Sequence, residues 1–87
     1  MASKVISKVA PQYTEQARTA RWQGTVVLNA VIDETGRPVN VSVAQPLGMG
    51  LDESAIAAVE QWRYSPTLLN GNPVKVLTTV SVNFSLQ

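Results

Sequence analysis

Apolar and polar positions alternate with period two across residues 25–33, with Val26, Leu28, Ala30 and Ile32 on one side and Thr25, Val27, Asn29 and Val31 on the other. That is the pattern of a strand with one buried face. Turn formers from Asp33 through Gly36 to Pro38 separate it from a second alternating run, Val39, Val41 and Val43, which stops at Pro46, so the two runs read as a hairpin. Beyond the flexible Leu47-Gly48-Met49-Gly50-Leu51 loop, Asp52 is a good N-cap, and Ala55, Ile56, Val59 and Trp62 recur at helical spacing. They predict a helix over about residues 53–63, ended by Ser65-Pro66. Asn70-Gly71-Asn72-Pro73 signals another turn, and the rest is the longest strand. Val74, Val76, Thr78, Val80, Val82, Phe84 and Leu86 share one face of it, and Lys75, Leu77, Thr79, Ser81, Asn83 and Ser85 share a wetter one. Ahead of the hairpin, Thr14 opens a short helix over about residues 15–22, with Gly24 placed for a left-handed C-terminal cap. Residues 1–10 read as an extended arm leading into Pro11, and residues 11–87 as one domain.

The order of elements, helix–strand–strand–helix–strand, predicts an α+β unit in which two helices cover one face of a three-stranded antiparallel sheet. A helical crossover between the second and last strands favours placing them parallel, with the first strand between them and antiparallel to both. The expected core is Val26, Leu28, Ile32, Val41, Val43, Ile56, Val59, Trp62, Val80, Val82 and Phe84.

Composition narrows the function. Hydrophobic residues make up 45% of the 87 and charged residues 15%, which is a folding composition. A net charge of +1 leaves no broad basic footprint, so nucleic acid is not an expected partner. Cysteine and histidine are both absent, which removes disulfides, thiolate metal sites and the usual nucleophile–base pairs. No cofactor is expected. No apolar run approaches the roughly 20 residues that span a bilayer, and Met1-Ala2-Ser3-Lys4 lacks the apolar core of a signal peptide. An exported or anchored native protein would carry that part elsewhere.

The remaining candidates for chemistry have simpler structural readings. Asp33 and Glu34 are adjacent carboxylates in a turn, where an acid–base pair would need two groups converging from separate supports. Asp52 and Glu53 suit the first turn of a helix. Gly48-Met49-Gly50 lacks the lysine and the spacing of a phosphate loop. Lys4, Lys8, Arg18 and Arg21, against Glu15 alone in the first 24 residues, form a solvated face that could also steer an acidic partner. Nothing here points to an enzyme.

Several motifs resemble, in order, those of the TonB C-terminal domain family. Pro11-Gln12-Tyr13 is similar to the family's P-x-Y opening, Gln23-Gly24-Thr25-Val26 to its G-x-V strand start, and Trp62-Arg63-Tyr64-Ser65-Pro66 to its W-R-Y-x-P run, the most specific of them. Asp33…Gly36, Leu51-Asp52, Asn70-Gly71 and Phe84 fit the same order, so the resemblance covers residues 5–86. Thr14 stands where many members carry a second proline. The resemblance implies a periplasmic domain of a Gram-negative energy transducer, and a full transducer also has an N-terminal membrane helix and a proline-rich linker. It implies partners too: the N-terminal box peptide of an outer-membrane transporter, and inner-membrane proton-channel proteins reached through that N-terminal region.

Strand edges suggest where a peptide would bind. The second strand is blunted by Pro38 and Pro46, whereas the last has no proline after Pro73, so its outer row of N–H and C=O groups is open to a further strand. The candidate peptide-binding residues are therefore Lys75, Val76, Leu77, Thr78, Thr79, Val80, Ser81 and Val82. Pro11, Gln12 and Tyr13 join them as a flanking contact implied by the family motif. Two rivals use the same fold: a homodimer formed through that edge, with no peptide ligand, and a TolA-like envelope domain.

Overall fold

The computed structural model describes residues 4–86; Met1, Ala2, Ser3 and Gln87, the outer ends of the expected arm and domain, lie outside the described residues. Its elements are β1 (Val5–Ser7), α1 (Glu15–Thr19), β2 (Gly24–Ile32), β3 (Pro38–Gln45), α2 (Leu51–Val59), β4 (Arg63–Tyr64), β5 (Thr67–Leu69), β6 (Asn72–Val74) and β7 (Val76–Phe84). The main sheet has the order β3-β2-β7, antiparallel throughout, so the α+β expectation and the central position of the first long strand hold. The long expected last strand is broken at Lys75. Its first part, β6, turns back on β5 through Asn70 (φ 53°) and Gly71 (φ 81°), two left-handed residues of the kind tight hairpins require.

One face of the sheet is covered. Val26, Leu28 and Ile32 of β2 and Val80, Val82 and Phe84 of β7 pack with Ala17 of α1, with Leu51, Ala55 and Val59 of α2, and with Trp62 and Tyr64. The alternation in β2 and β7 follows directly, because every second side chain must leave water together for the sheet to hold the helices. Burial pushes the Tyr64 phenol above its ordinary pKa.

The expected core needs correction on β3. Val43 is 38% exposed, while Val41 and Ile56 are half-buried against the cluster. Asn40 has φ 50°, and the ladder to β2 slips there, from Val31↔Val39 to Asn29↔Ser42. A bulge with one extra residue reverses the facing of everything after it. Val39 therefore lies opposite Val31 on the open face, whereas Val43 lies opposite Leu28 on the covered one. Among the described residues no strand flanks β3 on its outer side, so Val43 keeps much of its surface in water.

Two expected caps are replaced. Gly24 opens β2, and α1 ends instead with Arg21 in the left-handed region at φ 55°. Trp22 N donates to Ala17 O (2.8 Å) and Arg21 N to Arg18 O (3.1 Å), the paired closure that usually recruits glycine. Thr14 does cap α1, accepting from Ala17 N (3.1 Å), and its hydroxyl also donates to Met49 O (2.7 Å). At α2 the N-cap position belongs to Gly50, and the Asp52 carboxylate accepts from Leu47 N (2.7 Å) and Gly48 N (3.2 Å) in the preceding loop.

In the β2–β3 turn, the Asp33 carboxylate accepts from Thr35 Oγ1 (2.7 Å), Thr35 N (2.9 Å) and Arg37 N (2.9 Å). These bonds, the Thr35 hydroxyl first, hold the carboxyl below the usual aspartate range. A carboxyl with a lowered folded-state pKa stabilises the fold above its unfolded value near 3.8, and that contribution disappears as pH falls through the folded value. Asp33→Asn should therefore lose less stability than the parent between about pH 5 and about pH 3. Urea unfolding at the two pH values measures the difference.

Candidate functional site

The outer edge of β7 carries no strand among the described residues. All nine residues of β7 are paired with β2 on the other side, from Ile32↔Val76 to Gly24↔Phe84, so the opposite edge is held in extended conformation by a continuous ladder. Val80 and Val82 point into the core, and Leu77, Thr79 and Ser81 point to the open face. Val76 and Thr78 are half-buried on the covered side, and Lys75 is exposed at the break before the strand. Leu77 is 79% exposed, an apolar side chain left largely in water among the described residues. Thr79 Oγ1 reaches Asn29 Oδ1 across the ladder (3.3 Å).

Residues 8–11 of the arm come beside this edge. Val5 and Ser7 of β1 pair with Tyr64 and Arg63 of β4, and Ser65 N donates to Lys4 O (2.8 Å). The indole N–H of Trp62 donates to Val9 O (2.9 Å), and Lys8 Nζ stands 5.2 Å from the centre of the same ring. The arm thus runs over the W-R-Y segment and forms one wall of a cavity of about 500 Å3, whose floor is Trp62 and whose far wall is residues 81–83 of β7. On the other side of the arm a second cavity, about 390 Å3, lies between Pro11 and Gln12 and, opposite them, Ser54 and Ala57 of α2 with Gln61 just beyond its end.

The structure therefore brings Pro11 together with Ser81 and Val82 around one cavity. Gln12 lies on the α2 side of the arm. Tyr13 packs edge-on against Phe84, centroids 5.6 Å apart, and its hydroxyl donates to Trp22 O, so it positions the end of β7 and the chain leading into α1. Sequence reasoning assigned Trp62 to the core alone and gave Lys8, Val9, Ala10 and Asn83 no role at the site. Trp62 is 7% exposed and belongs both to the core cluster and to the lining of the cavity. The one available signal was an indole N–H that must find a partner when buried.

Among the described residues there is no group of three or more metal-ligating side chains, and no helix is long and apolar enough to cross a membrane. What the site offers is an unpaired row of backbone donors and acceptors beside a partly apolar hollow, suited to holding an extended chain.

The family model described as Gram-negative bacterial TonB protein C-terminal matches residues 9–86. Protein TonB of Vibrio cholerae serotype O1 is 32% identical over 84 residues, 95% of this chain and 34% of that protein. Protein TonB of Xanthomonas campestris pv. campestris is 34% identical over 77 residues, 87% of this chain and 34% of that protein. Protein tonB2 of Pseudomonas aeruginosa is 30% identical over 78 residues, 88% of this chain and 29% of that protein. The chain thus spans about a third of the length of these curated relatives. The solution NMR structure of Pseudomonas aeruginosa TonB CTD superposes with a TM-score of 0.79 at 22% identity, over 98% of this chain and 87% of that one, a likeness of fold. With the W-R-Y-x-P run, the β3-β2-β7 sheet and the matched span in agreement, the chain belongs to the TonB C-terminal domain family.

Proposed function

We propose that this domain is the receptor-contacting module of a TonB-type energy transducer. It lies in the periplasm and grips the box peptide of an outer-membrane transporter as an added strand on the outer edge of β7. It is a binding module, not an enzyme. Force drawn from the inner-membrane proton gradient would arrive through a preceding region of the protein that contacts the proton-channel partners. The observation that carries this reading is the unpaired edge of β7 beside the cavity walled by Pro11 and Trp62. Main-chain pairing supplies affinity with little dependence on sequence, and the hollow supplies selection. The unbroken β2–β7 ladder supports the mechanical part, since load applied along an added strand is shared by many backbone hydrogen bonds at once. Ordering a flexible peptide opposes association, so dissociation constants lie nearer micromolar than nanomolar.

Proline substitution tests the edge. Adjacent residues in a strand send their N–H groups to opposite sides, so Thr79→Pro and Val80→Pro remove one edge donor and one ladder donor between them. One variant should stay folded and lose a transporter box peptide in an NMR titration, and the other should unfold. If both stay folded and bind as the parent does, β7 is not the docking edge; self-association of the parent without peptide binding would favour the dimer.

A further inference from the structure

We propose that Asn70 is a site of spontaneous deamidation, made reactive by local opening of the β5–β6 hairpin. The reaction is independent of any peptide held at β7. Of the five asparagines in the chain, Asn70 alone is followed by glycine. Attack of the Gly71 amide nitrogen, once it has lost its proton, on the Asn70 side-chain carbonyl carbon forms a C–N bond and expels ammonia. The resulting cyclic imide is opened by water at either carbonyl, giving aspartate or isoaspartate. Glycine presents no Cβ to hinder the approach, and a Cβ built at Gly71 would meet nothing within 4 Å. Both residues are exposed, and among the described residues the Asn70 side chain makes no hydrogen bond.

The hairpin decides the access. It pairs only with itself, through Thr67↔Val74, Leu68↔Pro73 and Leu69↔Asn72, and a lone two-stranded hairpin is marginal in water. Leu68 is 50% and Leu69 62% exposed, so little apolar burial holds it closed, and such segments open far more readily than a core. While closed, the turn fixes Asn70 at φ 53° and Gly71 at φ 81°; opening lets both rotate and brings the nitrogen within reach of the carbonyl. The other asparagines lack this combination. Asn29 and Asn83 stand in the unbroken β2–β7 ladder, and their side-chain oxygens accept from the Thr79 and Thr25 hydroxyls. Asn40 precedes the β-branched Val41, which crowds the approach. Asn72 precedes Pro73, whose nitrogen carries no hydrogen. Reaction at Asn70 would take the net charge from +1 to zero. Isoaspartate would also add a backbone carbon to a turn that closes only with two left-handed residues, so the hairpin is lost while the main sheet, which it does not join, remains.

The test incubates the intact chain in mildly alkaline buffer and follows the tryptic peptide of residues 64–75 by mass spectrometry, with isoaspartate methyltransferase labelling to identify the product. That peptide should gain the mass difference between an amide NH2 and a hydroxyl and separate into two forms, one co-eluting with the peptide from Asn70→Asp. The chain unfolded in guanidinium chloride should react about five- to thirtyfold faster, the factor that a modest local opening equilibrium imposes. In NMR, amides of residues 67–74 should shift in the modified chain and those of β2 should not. Asn70→Ser should abolish the reaction. An unmodified peptide in the folded chain, with the unfolded chain reactive, would show that the hairpin shields Asn70 and overturn the proposal. Equal rates in the folded and unfolded chains would overturn the control by hairpin opening. Comparable reaction at Asn29, Asn40 or Asn83, persisting in Asn70→Ser, would overturn the assignment to Asn70.

Discussion

Trp62→Ala is expected to lower the unfolding free energy by about 3–5 kcal/mol, the cost of removing a large aromatic from a packed site that cannot collapse around the gap. A domain of this size has roughly 5–10 kcal/mol in total, so the variant should lose about half of its stability and melt well below the parent. Three contributions coincide at this residue. The ring is 7% exposed and belongs to the cluster formed by β2, β7 and α2. Its N–H ties Val9 to the body of the domain, beyond the point where the β1–β4 pairing already holds the arm. It also forms the floor of the cavity beside β7. Trp62→Phe separates these: it keeps most of the ring, loses the bond to Val9, and should cost about 1–2 kcal/mol while speeding amide exchange in β1. An unchanged urea midpoint in Trp62→Ala would show that the core does not depend on this ring.

Gly36→Ala should cost about 3 kcal/mol or more, although it adds a single methyl group. Gly36 has φ 89°, where an L side chain is strained by about 1–2 kcal/mol. A Cβ there would also lie 2.0 Å from the carbonyl oxygen of Tyr64, an overlap with backbone that only a shift of the turn or of β4 relieves. Such a shift would loosen the bond from Tyr64 N to Gly36 O (2.9 Å), which docks the β2–β3 turn on the W-R-Y segment. Gly71→Ala is the control, since it has a similar φ of 81° and nothing within 4 Å of the added atom. It should cost only the strain, about 1–2 kcal/mol. Thermal unfolding of the two variants side by side measures the contribution of the close approach, and equal losses would show that there is none.

Most of the main sheet was legible in the chain. Val26, Leu28 and Ile32, with Val80, Val82 and Phe84, announce one buried face by simple alternation, and all six are in the core. Hydrophobic burial has no direction of its own, so the period of the pattern is enough to identify the face. Thr14 was equally readable as a cap, because its bond is local and lies within the same turn. The unblunted last strand followed from the positions of prolines alone.

Other features depended on residues far apart in sequence. The bulge at Asn40 cannot be read from β3, whose Val39, Val41 and Val43 alternate without a flaw; pairing with β2 inserts the extra residue and divides them between faces. Gly36 reads as an ordinary turn glycine, and its close approach to Tyr64 exists only because the turn is docked there. The arm is a stronger case. Nothing in Lys8 or Val9 announces Trp62, more than fifty residues away, nor the wall that they build beside β7. Alternation, capping and turn chemistry act within a few residues, and so the chain itself settled the α+β class, the covered face and the open edge. Register, close backbone approach and the shape of the hollow arise where separate segments meet, and only the folded packing of arm, W-R-Y segment and β7 decided them.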